Sequence, residues 1–137
     1  MDIQSLLDSI PTPSAADMAD RRQFARRYAL VFLRQGPASR DDETRNENLQ
    51  LEHLQHLTKL QMAGKLVLNG PILVDHDILG VSVYAAELEE ARAMAEADPR
   101  VRSGYLTVEA IPWMAVPSER RPILLDTDIS CTASSMV

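Results

Sequence analysis

This chain of 137 residues has a single cysteine, Cys131, five glycines, one tryptophan and two phenylalanines. One cysteine excludes an intrachain disulfide framework and fits a reducing compartment. The glycines fall in no phosphate-cradling loop and no dinucleotide fingerprint, so a nucleotide cofactor is not expected. No apolar run approaches the length of a membrane span. Basic residues are outnumbered: 14 Lys and Arg against 20 Asp and Glu give a net charge of −6. A nucleic-acid partner, which calls for a basic patch to neutralise phosphates, is therefore not expected either. The N-terminus lacks the basic-then-apolar order of a secretory signal, and a cytoplasmic location is the expectation. What remains, 45% hydrophobic and 25% charged, is the composition of an ordinary globular protein, long enough for one domain with extensions.

Residues 1–27 read as a helical extension in two short pieces around Pro11 and Pro13. Ser14 and Asp17 have the spacing of a capping box. Charge is high there and large apolar residues are few, so the extension is expected to lie on the domain rather than form its core. Tyr28 to Arg34 is β-branched and aromatic, bounded by Gly36-Pro37, and reads as a buried strand. A helix is predicted from about Thr44 to Ala63. On it Leu49, His53, Leu57 and Leu60 share one stripe, with His56 beside them, and Gly64 has the character of its cap. Lys65 to Val74 reads as a strand interrupted at Gly70-Pro71. The turn Asp75-His76-Asp77 then leads to a strand from Ile78 to Tyr84, making a hairpin. A second helix runs from Glu87 to about Ala97 and stops at Asp98-Pro99. A last strand runs from Val101 to about Trp113. The order β-α-β-β-α-β is the split unit of a ferredoxin-like α+β sandwich, an antiparallel sheet with two helices on one face. Residues 28–116 would make up that domain, and 117–137 a polar, proline-punctuated tail.

Chemistry concentrates on the helix bearing His53 and His56. A polar, titratable side chain aimed at a core is costly unless satisfied. Each histidine is thus either a hydrogen-bonded structural residue or part of a site. Three residues apart, they are helix neighbours, but no cysteine or third ligand joins them in a metal signature, so no metal is expected. The sharper alternative is proton transfer by one of them, held by a carboxylate. Asp98 is the best candidate, because a side chain at a helix end is free to reach across the sheet; its plain alternative is a helix stop. Asp75-His76-Asp77 is more economically a turn than a metal motif. Gly70 and Pro71 read as a strand bend, with or without a pocket beside it. Ser103, Gly104 and Tyr105 are candidate pocket residues, Gly104 through a bulge or close approach, and Ser103 has no nucleophile elbow around it.

The histidine-bearing helix, the Gly-Lys-Leu-x-Leu-x-Gly-Pro strand, the hairpin, and Asp-Pro followed by Val-Arg-Ser-Gly-Tyr together resemble the YCII-related (YciI-like) family from about Tyr28 to Met114. The resemblance implies a ferredoxin-like domain that dimerises through its sheet, as the dimeric α/β barrels do, and a histidine–aspartate pair in a cleft. Counting back from Gly64, the family histidine falls on His53, and the family aspartate before proline falls on Asp98. Substrate contacts are then expected from His56, Gly70, Pro71, Ser103 and Tyr105, in an apolar pocket built from Leu49, Leu60 and the sheet. The activity implied is that of a small cofactor-free lyase or isomerase, similar to a dehydrochlorinase or a muconolactone isomerase, acting on a small ring-shaped molecule. Two other readings stand beside it. One is a non-catalytic small-molecule-binding module; the other is an interaction protein working through its termini.

Overall fold

The computed structural model describes residues 2–118; the tail beyond 118 lies outside the described residues. Two short helices come first, α1 (Ile3–Asp8) and α2 (Ala15–Arg21). At α2 the reciprocal cap forms as its spacing predicts: the Ser14 hydroxyl accepts the Asp17 N–H at 3.1 Å, and the Asp17 carboxylate accepts the Ser14 N–H at 2.8 Å. Neither helix buries a residue. α2 shares a depression with Val116, Pro117 and Ser118 just past the last strand, but neither helix offers an apolar stripe wide enough to be buried there.

The domain follows as β1 (Arg26–Gln35), α3 (Glu43–Met62), β2 (Leu66–Pro71), β3 (Ile78–Tyr84), α4 (Leu88–Glu96), a helical turn α5 (Pro99–Arg102) and β4 (Leu106–Ala115). The strands form one antiparallel sheet in the order β2-β3-β1-β4, the ferredoxin-like α+β arrangement. Register divides the side chains cleanly, since directly opposed residues share a face. Ala29 opposes Tyr84, Val31 opposes Ser82 and Ala110, and Leu33 opposes Gly80 and Val108. This set faces the helices and is largely buried. Tyr28, Leu30 and Phe32, with their partners Trp113, Ile111, Val83 and Val81, form the opposite face.

Two boundaries differ from the sequence reading. The strand expected to reach Val74 ends at Pro71, and one further backbone bond, from the Ile72 N–H to the Leu79 carbonyl at 2.9 Å, leads the chain into the turn. Leu73 and Val74 are 90% and 71% exposed. The strand expected from Val101 is preceded by α5, because Asp98 caps that turn through the Arg100 N–H at 2.9 Å with Pro99 at its first position. Gly104 therefore sits after a helix and not within a strand. It ends α5 in the left-handed region at φ 84°, with Gly104 N–H to the Val101 carbonyl at 3.0 Å and Tyr105 N–H to the Arg100 carbonyl at 2.9 Å. Gly64 closes α3 in the same way at φ 75°.

The two long helices meet the sheet differently. Around α4 the contact is made by Ala91, Ala95, Ala29 and Ala110, all buried, and small residues let the helix approach closely. The buried residues of α3 are Leu49, His53 and Leu57. Beneath it the sheet carries Gly80 and Ser82, which fill little of the space under the helix.

Candidate functional site

A cleft of about 140 Å³ opens between α3 and the β2–β3 half of the sheet. His53 and Leu57 on α3, Leu33 on β1, Leu106 on β4, and Gly80 and Ser82 on β3 line it. The small side chains of the sheet make the space, and a Cβ on Gly80 would meet the Gly70 carbonyl oxygen at 3.3 Å.

His53 and Asp98 are 45 residues apart in the chain, yet the His53 Nδ1 lies 2.5 Å from Asp98 Oδ2. Both are buried, at 7% and 2% exposure. Helix α3 brings the imidazole in by placing it at the middle of its buried stripe. Asp98 is fixed at the junction of α4 and α5, where its other oxygen accepts the Arg100 N–H. With Oδ1 accepting the Arg100 N–H, an ionised Oδ2 accepts from a protonated Nδ1. In the neutral ring with Nδ1 protonated, Nε2 carries the free lone pair, and His53 lines the cleft. A buried Asp98 charge is felt nearby: burial first, and that charge second, push the Tyr84 phenol well above its ordinary value.

The remaining residues singled out by the sequence divide. Gly70 and Pro71 line the cleft with His53. His56 does not; its Nε2 donates to the Met94 carbonyl at 2.8 Å and ties α3 to α4. The Ser103 hydroxyl donates to the Arg100 carbonyl at 3.2 Å, inside the α5 turn. Tyr105 is buried outside the cleft lining, and its carbonyl accepts the Gly36 N–H at 2.8 Å and the Arg40 guanidinium. The apolar wall comes from Leu33, Leu57, Leu79 and Leu106 rather than from Leu49 and Leu60, because the cleft sits toward β2 and β3. At Asp75-His76-Asp77 the His76 Nδ1 accepts the Ile78 N–H at 2.9 Å, a turn-stabilising bond. Among the described residues no three His, Cys, Asp or Glu side chains converge to hold a metal ion.

Residues that sequence reasoning passed over complete the wall: Arg40, Gln50, Asn69 and Arg100. Arg100 donates through Nη1 to the Gln50 Oε1 at 2.6 Å. The guanidinium carbons of Arg40, Arg45 and Arg100 stand 5.5, 5.6 and 5.7 Å from the centre of the Tyr105 ring. Arg100 is held below the usual arginine range by burial and then by the charge of Arg40, against the opposing pull of Asp98 and Tyr105. No local signal marks Arg40, which lies in a polar loop indistinguishable from a solvated one. What fixes that loop is a long-range backbone contact: a Cβ on Gly36 would lie 2.1 Å from the Gly104 carbonyl oxygen, and the Ala38 N–H donates to that same oxygen at 3.0 Å.

The YCII-related domain family matches residues 27–114 of this chain. No curated protein matches it significantly in sequence. Among solved structures, 5-chloro-2-hydroxyhydroquinone dehydrochlorinase from Burkholderia phenoliruptrix, in complex with 2,5-dihydroxybenzoquinone, is similar at 20% identity and a TM-score of 0.48, covering 63% of this chain and 92% of that one. A protein of unknown function from Rhodopseudomonas palustris is similar at 18% identity and a TM-score of 0.33, covering 79% and 96%. No described helix is long and apolar enough to cross a membrane.

Proposed function

The chain belongs to the YCII-related domain family, and from that premise we propose that it is a small cofactor-independent lyase or isomerase in which His53 is the general base and Asp98 holds it. The observation that carries the reading is the 2.5 Å contact from His53 Nδ1 to Asp98 Oδ2 beside a cleft that the same imidazole lines. A carboxylate on one ring nitrogen fixes the tautomer, orients the ring and stabilises the imidazolium that forms when the other nitrogen takes a proton.

The volume supports a substrate class. A cleft of about 140 Å³ is close to the ~150 Å³ cavity that holds one benzene ring. Leucines around it favour a ring over a polar chain. In an elimination, Nε2 takes the proton of a hydroxyl or an acidic carbon, the freed electron pair forms a new double bond, and the leaving group departs with its own pair. In an isomerisation, Nε2 takes a proton from a carbon beside a carbonyl and returns it to a neighbouring carbon as the double bond shifts. Dehydrochlorination of a phenolic ring and lactone isomerisation are the two forms to test first. A homodimer formed through the sheet, in a cytoplasmic setting, belongs to the same proposal. Its support is the row of aromatic and aliphatic residues on the face away from the helices.

The test is turnover of chlorinated hydroquinones and unsaturated lactones by the wild type, His53→Gln and Asp98→Asn. We expect His53→Gln to lose activity about 10²–10⁴-fold, the usual worth of a positioned base, and Asp98→Asn to lose a large part of it. A substrate turned over equally by all three ends the acid–base reading. The binding-module alternative then takes its place if ring compounds still bind.

A further inference from the structure

Two like charges stand together in this site, and among the described residues neither is held in an ion pair. Arg40 and Arg100 both line the cleft, and both also line an open depression on its outer side with Asn46, Glu47 and Gln50. The close cation–carboxylate contacts among the described residues are Arg34 with Glu109 and Lys65 with Glu90, beside the hydrogen-bonded His53–Asp98 pair. Neither Arg40 nor Arg100 takes part. Glu47 shares the depression but stands in no ion pair with either. Asp98 spends one oxygen on His53 and the other on a backbone N–H.

The guanidiniums are also short of acceptors. Arg100 Nε and Arg40 Nε are buried with no hydrogen-bond partner. Arg100 gives Nη1 to Gln50 and lines the cleft, while its Nε is closed off without an acceptor, so a group whose geometry matches the two oxygens of a carboxylate is short of acceptors here. A buried donor without an acceptor is costly, and a cation forced beside another is costly again. The resting protein maintains both costs in the wall of its cleft. Stacking of the guanidiniums on Tyr105 holds them in position without neutralising them.

We propose that Arg100, assisted by Arg40, is the carboxylate-binding subsite of this cleft, so that the small ring compound it accepts carries a carboxylate group. The subsite and His53 lie in the wall of one cleft of about 140 Å³. A ring anchored by its carboxylate at the Arg40–Arg100 end lies against the leucines, with its other positions turned toward Nε2. The guanidiniums select the substrate and His53 works on it. This deepens the acid–base reading and rests on it for the reaction, but not for the binding.

Benzoate and its neutral isostere benzamide test the subsite at fixed ionic strength, with calorimetric titration for affinity and the ring-nitrogen NMR shifts of His53 as a second readout. We expect benzoate to bind at least about tenfold more tightly than benzamide, the worth of a charge-assisted fork. Arg100→Met, which keeps the apolar stem, should erase that preference, and Arg100→Lys should retain part of it. Equal affinity for the two probes in the wild type overturns the proposal, and because that comparison needs no variant, misfolding of Arg100→Met leaves it decisive. A benzoate preference that survives in folded Arg100→Met overturns it as well. If benzoate binds through Arg100 while the His53 nitrogens do not respond, the subsite stands and the acid–base reading fails. If both probes bind equally and perturb His53, the reverse holds.

Discussion

At the scale of single residues, the site depends on one buried pair whose members were drawn from opposite halves of the domain. Removing the donor from a buried carboxylate leaves that charge short of a hydrogen bond, at about 3 kcal/mol. His53→Ala strands the Asp98 carboxylate in this way. Asp98→Asn keeps an oxygen for the Arg100 N–H and another polar atom against His53, so it should cost no more than about 1–2 kcal/mol. Urea melts should therefore rank His53→Ala as clearly the less stable, and a reversed order would mean that the carboxylate is not charged in the folded protein. Asp98→Asn should also shift the His53 tautomer population toward a protonated Nε2, read from its nitrogen shifts. Alanine variants are thus poor probes of the chemistry, because they test folding first.

Tyr84 carries a second residue-scale expectation. Its phenol is raised from the ordinary value of 10.0, by burial and then by Asp98. The folded state therefore keeps a proton that the unfolded chain gives up, and stability falls as pH rises. The contribution is fully present below about pH 10 and declines above it. Denaturant midpoints measured from pH 9 to 11 should fall more steeply in the wild type than in Tyr84→Phe.

At the scale of elements, the fold turns on how loops are pinned. Gly36 and Gly64 look alike in sequence, each punctuating an element end. Around Gly64 an added Cβ meets nothing within 4 Å, and the strain lies only in φ 75°. Gly64→Ala should cost about 1–2 kcal/mol, the left-handed penalty for a residue with a side chain. A Cβ at Gly36 would overlap the Gly104 carbonyl oxygen at 2.1 Å, and neither backbone can yield without breaking the bonds between the β1 end and the α5–β4 turn. Gly36→Ala should cost distinctly more than Gly64→Ala, and chemical denaturation of the two variants compares them directly. The same contact positions Arg40, so Gly36→Ala should also weaken benzoate binding while Gly64→Ala leaves it unchanged.

At the scale of the whole molecule, the sheet has two apolar faces and helices cover one. On the other, Tyr28 and Trp113 stack obliquely at 6.2 Å between ring centres. Trp113 and Ile111 remain 44% and 39% exposed. A contiguous apolar face of this kind marks an association surface, and in the proposed homodimer a twofold contact between identical sheets is what covers it on both copies. Light scattering on Trp113→Lys should report a monomer where the wild type reports a dimer. An unchanged mass for the two proteins would remove the dimer from the proposal.

The order of elements was legible in the chain because it is written locally. β-Branched and aromatic residues bounded by Gly36-Pro37 set β1, alternation in its second half set β3, the Leu49–His53–Leu57 stripe and Gly64 set α3 with its end, and Ser14 with Asp17 set the cap of α2. Each of these patterns repeats within a few residues, which is the range over which side chains compete for a backbone conformation. His53 and Asp98 were legible as candidates for the same reason, one polar residue on a buried stripe and one at a helix stop. The α5 turn and the early end of β2 were not, since Pro99 and Pro71 permit either a turn or a strand end and packing chooses. Tertiary structure alone decided the rest. It separated His53, aimed into the cleft, from His56, three residues on and bonded to Met94. It moved Ser103 and Tyr105 out of the cleft lining and brought in Arg40 and Arg100. These positions are set by contacts between segments tens of residues apart, whose geometry exists only when the sheet has closed and the helices have settled on it.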